Sequence, residues 1–201
     1  MSVKNLNKIT HVAVFCGSSP GSDPLYEKQA ILLGEILASR NINIIYGGTK
    51  IGLMGAVADG ALQNGGTVIG VLPDFLREKE IAHPQLSKLI IVESMHERKT
   101  KMHDLSNAFI ALPGGFGTLE ELFEIITWAQ LGLHQKPIGL LNMKGFYDPL
   151  LSQLQHMVDQ GFLKKVNYDM LVTSSHIETL LDKMNQYEAP HTGKWIEKDE
   201  R

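Results

Sequence analysis

The sequence predicts an α/β protein in which a parallel sheet is covered by helices on both faces. Two observations predict this class. Short, continuously apolar segments alternate along the 201 residues with longer segments whose apolar residues recur at helical spacing. Strands that are apolar throughout are typical of a parallel sheet buried on both faces. In addition, several of the 19 glycines cluster directly after the apolar segments, where the loops at one edge of such a sheet begin.

The individual elements follow from apolar spacing and from the residues at their ends. Leu33, Ile36 and Leu37 fall on one face of a helix, for example, and Gly65 with Gly66 ends the next helix. The order of elements is that of a Rossmann-like, doubly wound fold. The predicted elements are strand 10–16, helix 24–40, strand 42–46, helix 53–63, strands 67–72 and 88–92, helix 95–105, strand 108–112, helix 119–131, strand 137–141, helix 147–160, strand 171–173 and helix 176–185.

The domain organisation is predicted to be simple. The chain contains no internal repeat, no low-complexity tract and no linker long enough to separate domains. We therefore expect residues 1–185 to form one Rossmann-like nucleotide-binding catalytic domain. Residues 186–201 lose the pattern and are expected to form a polar C-terminal tail, with docking of Trp195 and Ile196 on a neighbouring molecule as the alternative.

Composition excludes several classes of protein. Lys and Arg number 19 against 22 Asp and Glu, a formal net charge of −3, so no basic surplus indicates a nucleic-acid or membrane partner. No apolar run approaches the roughly 18 residues of a membrane span, and the N-terminal residues lack the apolar stretch of a signal peptide. Cys16 is the single cysteine and cannot form an internal disulfide. We expect a soluble, cytoplasmic protein.

Three glycine-rich loops follow predicted strands. They are Gly17-Ser18-Ser19, Gly47-Gly48-Thr49, and residues 113–118. Glycine lets the backbone approach an anion closely, and the helix that follows offers free N–H groups and a positive dipole end. Because ligands of parallel α/β sheets bind at the carboxyl ends of the strands, the loops predict a site for a phosphate.

Two common phosphate-binding patterns do not fit. The segment from Gly47 to Gly52 has the spacing of a P-loop, but Leu53 and Met54 stand where Lys and Ser or Thr are required. The dinucleotide pattern Gly-x-Gly-x-x-Gly fits the third loop only halfway, because Glu120 replaces its last glycine. The loops therefore indicate a nucleotide or a sugar phosphate without identifying which.

Charged residues near these loops have two interpretations each. Thr118 and Glu121 fit a capping box, in which Thr118 is the N-cap, or both face the pocket, where the helix N-terminus would keep Glu121 ionised. Arg98 and Lys99 lie in a polar helix directly after a strand. They belong either to a solvated helix face or to the site, where the planar guanidinium of Arg98 suits a phosphate or carboxylate.

No metal or other cofactor is expected. His83, His96, His103 and His134 do not fall at metal-ligand spacing, and no second cysteine accompanies Cys16. Cys16 itself ends a predicted buried strand, which favours a small core residue over a nucleophile.

The third loop carries a longer motif. Residues 113–121 read Pro-Gly-Gly-Phe-Gly-Thr-Leu-Glu-Glu, an instance of Pro-Gly-Gly-x-Gly-Thr-x-x-Glu, and residues 95–99 read Met-His-Glu-Arg-Lys. With residues 15–19, 46–48, 52–55 and 126–132, these segments resemble the LONELY GUY family of nucleoside 5′-monophosphate phosphoribohydrolases. The resemblance covers roughly residues 10–185. Thr49 departs from it, since a third glycine is expected there.

The resemblance implies hydrolysis of the N-glycosidic bond of N6-substituted adenosine 5′-monophosphates, which gives a free cytokinin base and ribose 5-phosphate. It also implies a homodimer with the active site close to the subunit interface, and Arg98 and Glu121 as the catalytic pair. Gly17, Ser18, Gly47 and Gly48 are expected to form secondary loops of the site. The residues implied to line the nucleotide are Glu80, Arg98, Lys99, Gly114, Gly115, Phe116, Gly117, Thr118, Leu119, Glu120 and Thr127.

Physical reasoning gives these residues roles. Glycoside cleavage builds positive charge on the sugar, so an ionised Glu121 would stabilise that charge or orient the attacking water. Arg98 does not readily release a proton, and we expect it to hold phosphate or stabilise the departing purine. Backbone N–H groups of residues 115–119 would bind the 5′-phosphate.

Two other functions compete with this one. The same loops would serve a non-catalytic nucleotide-binding sensor or carrier, because only Arg98 and Glu121 argue for chemistry. Proteins of this family are also labelled lysine decarboxylases, a reaction that needs pyridoxal phosphate on a lysine. A pocket lysine such as Lys99 would have to serve, and the His-Lys pair common in such enzymes is absent from the sequence.

Overall fold

The structure is a computed structural model that describes residues 8–76 and 82–190. In these residues, seven strands are present: β1 His11–Phe15, β2 Asn43–Tyr46, β3 Val68–Pro73, β4 Lys88–Val92, β5 Ala108–Ala111, β6 Ile138–Leu141 and β7 Leu171–Ser174. They form one parallel sheet in the order β4-β3-β2-β1-β5-β6-β7. The predicted fold class is confirmed.

Helices cover both faces of the sheet. Neighbouring residues of a strand point to opposite sides, and in the central strand both sets are apolar. Val12 and Val14 of β1 belong to one core cluster, and Ala13 and Phe15 belong to the other. The helices are α1 Pro24–Ser39, α2 Gly52–Gln63, α3 Met95–Leu105, α4 Phe116–Gln130, α5 Asp148–Asp159, α6 Lys165–Tyr168 and α7 Ile177–Asn185. The first cluster contains residues of α1, α2 and α7, and the second contains residues of α3, α4 and α5.

The strand order reverses direction between β1 and β5. From β1 the chain builds outward through β2, β3 and β4, and it then returns to place β5, β6 and β7 on the other side. Such a switch point leaves a crevice at the carboxyl ends of the two central strands, where ligands bind in open α/β sheets. The first and third glycine loops follow β1 and β5, so both lie at this crevice.

Most predicted elements agree with the structure to within one or two residues, but α4 begins at Phe116 instead of residue 119. The four-residue helix α6 and the 3₁₀ turns Asp74–Leu76 and Met143–Gly145 were not predicted, because segments this short show no periodicity. The C-terminal tail was predicted from residue 186, and its residues 191–201, with Trp195 and Ile196, lie outside the described residues. No described helix combines the length and apolar composition needed to cross a membrane.

The crossing of α1 and α2 depends on glycine. A Cβ atom on Gly34 would lie 2.2 Å from the carbonyl oxygen of Val57 and 2.6 Å from the amide nitrogen of Ala61. Because both contacts are with backbone, the helices would have to separate. We expect Gly34→Ala to reduce the free energy of unfolding by about 2 kcal/mol or more.

Thermal and urea unfolding measure this effect, and Gly117→Ala is the matched control. Gly117 is also helical, but a Cβ there meets nothing within 4 Å, so Ala should be neutral or stabilising by helix propensity. Equal stability of the two variants would contradict the assigned contact.

Candidate active site

The glycine loops contact one another at the switch point. The amide of Gly17 donates to the carbonyl of Pro113 at 3.0 Å, and the amide of Leu53 donates to the carbonyl of Gly17 at 3.0 Å. Gly52 has a φ of +60°, and a Cβ there would lie 2.3 Å from the backbone of Ser18. Glycine is therefore required at the start of α2, because the β1 loop passes directly over it.

A cavity of about 320 Å³ opens beside these loops. Gly17 and Ser18, which were predicted to form a secondary loop, line it together with Gly114 and Gly115 of the third loop, and the rings of Tyr26 and Phe146 form part of its wall. The cavity lies at the crevice that the strand order predicts.

The N-terminus of α4 is open. Gly115 is the N-cap and makes no side-chain capping bond. A Cβ on Gly115 or Gly117 would meet nothing within 4 Å, and Phe116 between them is 93% exposed. Packing against the described residues therefore does not explain these two glycines. The first-turn amides have no partner within the helix, and they carry the positive end of the helix dipole.

The early start of α4 corrects two expectations. Thr118 is not the N-cap, so the predicted capping box with Glu121 is wrong. The amide of Leu119 donates to the carbonyl of Gly115 at 3.1 Å, which removes it from the predicted anion-binding groups. Among the described residues, the amides of residues 116–118 have no hydrogen-bond acceptor. Thr118 is buried instead, and it packs so closely that a Cβ on Gly114 would lie 2.1 Å from its Oγ1.

Arg98 is buried, so the interpretation as a solvated helix face is wrong for this residue. Its side chain comes from α3, whose N-cap Ser94 accepts a bond from the amide of Glu97 at 3.1 Å. The residue is 6% exposed. Arg98 Nη2 donates to the carbonyl of Gly47 at 3.4 Å, a long bond, and Nε has no hydrogen-bond partner among the described residues.

The second glycine loop makes room for this arginine. A Cβ on Gly47 would lie 2.1 Å from Arg98 Nη2. Gly48 has a φ of +87°, a conformation that favours glycine. Thr49, where the resembled family has glycine, is buried and forms a β-bridge with Ala82. The loop therefore supports a buried guanidinium whose donors are incompletely used.

Glu121 has a perturbed carboxyl group. Burial raises its pKa to about 7, although the charges of Arg98 and Lys99 lower it, and Glu120 and Glu124 add to the increase. The sequence indicated an ionised group at a helix start, but the early start of α4 places Glu121 in the second turn, where the dipole is weak. Near neutral pH the carboxyl therefore exists in both protonation states.

Lys99 is held by α4. Its Nζ lies 2.6 Å from Glu120 Oε1 and 3.1 Å from Glu124 Oε1. Partial burial lowers the pKa of Lys99, but the hydrogen bonds to the two carboxylates outweigh it and raise the pKa above its ordinary value. Sequence reasoning missed Glu124, although its i, i+4 spacing from Glu120 places the two on one helix face.

The remaining predicted residues lie apart or cannot be placed. Thr127 is exposed, and its hydroxyl donates to the carbonyl of Phe123 at 2.7 Å, about 13 Å along the axis of α4 from Thr118. Glu80 lies outside the described residues. Cys16 is buried in the core, as expected, and burial raises the pKa of its thiol, which does not favour a nucleophile.

Comparisons with known proteins give matches over most of the chain. Residues 54–184 match a family model described as possible lysine decarboxylase. The chain is 46% identical over 186 residues to a probable cytokinin riboside 5′-monophosphate phosphoribohydrolase, LOGL2, of Oryza sativa subsp. japonica, covering 92% of this chain and 76% of the relative. It is 45% identical to the cytokinin riboside 5′-monophosphate phosphoribohydrolase LOG1 of Arabidopsis thaliana, covering 92% and 87%.

Among solved structures, the molybdenum cofactor binding protein of Rippkaea orientalis shares the fold. It superposes with a TM-score of 0.65 at 23% identity, covering 88% of this chain and 96% of that chain. At this identity the likeness concerns the fold alone.

Proposed function

Because this chain belongs to the LONELY GUY family, whose curated relatives are phosphoribohydrolases, we propose that it hydrolyses cytokinin nucleoside 5′-monophosphates. The reaction breaks the bond between C1′ of the ribose and the purine nitrogen, and water adds to C1′. The products are the free base and ribose 5-phosphate. The observation that carries this proposal is the buried Arg98 together with the half-buried Glu121, whose carboxyl is perturbed, near the N-terminus of α4.

The 5′-phosphate binds at the first turn of α4. The three amides of residues 116–118 and the helix dipole attract a dianion there, and a Cβ on Gly115 or Gly117 would meet no described atom within 4 Å. Because the phosphate is remote from the bond that breaks, its binding energy positions the sugar against Glu121. The resemblance also implies that Glu80 and Thr127 contact the nucleotide, and this stays a prediction.

The charges around Glu121 suit a cationic transition state. Arg98 and Lys99 supply two positive charges, and Glu120, Glu121 and Glu124 supply three negative ones when all are ionised. The excess negative charge favours the oxocarbenium-like sugar that glycoside cleavage develops. Arg98 cannot readily donate a proton, so its Nε, which has no partner in the described part of the chain, serves to stabilise negative charge on the departing purine.

The arrangement does not favour the decarboxylase description of the family model. A Schiff base with pyridoxal phosphate needs a neutral lysine amine. Lys99, the lysine beside the pair, is ion-paired with two carboxylates that raise its pKa. The two carboxylates therefore keep Lys99 protonated and disfavour a Schiff base at this position.

We also propose that the protein is a homodimer. Met95 at the start of α3 and Phe116 and Phe123 of α4 are exposed apolar side chains. Phe116 and Phe123 are seven residues apart and so lie on one face of α4, and grouped exposed apolar residues mark interaction surfaces. An isologous dimer would cover them. Sedimentation equilibrium should give twice the mass of the chain, and a monomer at micromolar concentration would contradict the dimer.

Product analysis tests the proposed reaction. The purified protein is incubated with N6-isopentenyladenosine 5′-monophosphate and, in parallel, with AMP. We expect free base and ribose 5-phosphate in equal amounts from the first substrate, and the ratio of the two rates ranks the substrates. Release of inorganic phosphate with the intact nucleoside would identify a phosphatase and contradict the proposal.

A further inference from the structure

Glu124 takes part in a contact that the proposed reaction has not used. It lies on α4, and its Oε1 is 3.1 Å from Lys99 Nζ of α3. The same Nζ contacts Glu120 one helical turn earlier. Lys99 directly follows Arg98 in α3, and Glu121 lies between the two glutamates in α4. The shared lysine therefore joins the helix segment that carries Arg98 to the segment that carries Glu121.

The contact between Glu124 and Lys99 is not expected to increase the free energy of unfolding. The side chain of Glu124 is 20% exposed, and its Oε2 is buried without a hydrogen-bond partner among the described residues. A buried oxygen without a partner costs stability, and an ion pair in a partly buried position frequently stabilises no better than an uncharged replacement. Stability therefore does not explain a carboxylate at this position. Proteins retain such costs at functional sites.

We propose that Glu124 is a positioning residue for the reaction, which together with Glu120 fixes Lys99 and so sets the distance and the charge balance between Arg98 and Glu121. This inference rests on the proposed function. Glu124 does not contact the substrate in this account. It acts through Lys99 on the two residues that do.

The effect on charge has a definite sign. The groups that face Glu121 are Arg98 and Lys99 from α3, Cys16 at the end of β1, and Glu120 and Glu124 on its own helix. Glu124 disfavours the ionised form of Glu121, and Lys99 favours it. Removing the charge of Glu124 should therefore lower the pKa of Glu121, and removing the charge of Lys99 should raise it.

The test compares Glu124→Gln and Lys99→Met with the wild-type protein. If the ionised form of Glu121 is active, the acid limb of the pH profile of kcat moves to lower pH in Glu124→Gln and to higher pH in Lys99→Met, each by about half a unit to one unit. The kcat on the plateau should fall about tenfold in Glu124→Gln, because the two helix segments lose a defined distance. The substrate phosphate also titrates near pH 6, but it is common to all variants and cancels in the comparison.

Unfolding measurements and a control separate this role from a structural one. Glu124→Gln should melt at or above the temperature of the wild type, and Glu178→Gln, in the first turn of α7, should leave both stability and the profile unchanged. A loss of activity that merely follows a loss of folded protein would overturn the proposal. The proposal would also be overturned if Glu124→Gln had the wild-type kcat on the plateau and an unshifted acid limb in its pH profile.

A readout without turnover distinguishes failure of this proposal from failure of the proposed function. Carboxyl ¹³C NMR of glutamate-labelled protein follows the titration of Glu121, assigned with Glu121→Gln. Shifts of the Glu121 pKa in opposite directions in the two variants support the proposed charge balance. If the protein then releases no ribose 5-phosphate, the proposed function is wrong but the charge balance stands. Unchanged titration in both variants overturns the charge balance even in an active enzyme.

Discussion

Replacement of Glu121 by glutamine is expected to reduce kcat by a factor on the order of 10²–10⁴. The amide has the size of the carboxyl but cannot carry the negative charge that stabilises the developing cation on the sugar. The rate of ribose 5-phosphate release at saturating substrate measures the effect. Glu178→Gln is the matched control, because it makes the same change in the first turn of α7. A Glu121→Gln variant with more than a tenth of the wild-type kcat would contradict the role.

The same variant should be more stable than the wild type at pH 8. In the folded protein the pKa of Glu121 is raised from 4.5 to about 7, so between these values the folded state binds more protons than the unfolded state. The free energy of unfolding therefore falls as pH rises through this window, by roughly 3 kcal/mol in total. Glu121→Gln removes this cost, and its advantage should disappear below about pH 4.5. An advantage independent of pH would contradict the buried carboxyl.

A substrate that lacks the 5′-phosphate is expected to react with a kcat/KM at least about 10³-fold lower. Hydrogen bonds to a charged group contribute about 1.5–3 kcal/mol each, and residues 116–118 offer three free amides at the first turn of α4. Each 1.36 kcal/mol corresponds to a factor of ten in rate. Parallel assays of N6-isopentenyladenosine and its 5′-monophosphate measure the ratio. Equal turnover would show that the helix N-terminus does not bind the phosphate.

The order of strands and helices was predictable because apolar periodicity reports directly on burial. The position of the site was predictable because glycine loops follow β1, β2 and β5. The start of α4 was not, since its N-cap is Gly115 and glycine gives no side-chain capping signal. That difference of three residues moved Glu121 out of the first turn and changed the expected state of its carboxyl.

Burial of charged side chains also depends on tertiary contacts that the local sequence does not reveal. The segment around Arg98 is polar and typical of an exposed helix, yet the guanidinium is buried over the Gly47 loop. Glycines in similar sequence positions also have different surroundings in the fold. Gly47 and Gly114 make room for neighbouring side chains, whereas Gly115 and Gly117 face open space.

The most direct test of the account measures AMP binding by calorimetry and ribose 5-phosphate release from N6-isopentenyladenosine 5′-monophosphate, in the wild type and in Glu121→Gln. Both proteins should bind AMP, because the amides of α4 are unchanged. Only the wild type should release ribose 5-phosphate at an appreciable rate. Binding by both proteins with no release by either would contradict the account and identify a nucleotide carrier or sensor instead of a hydrolase.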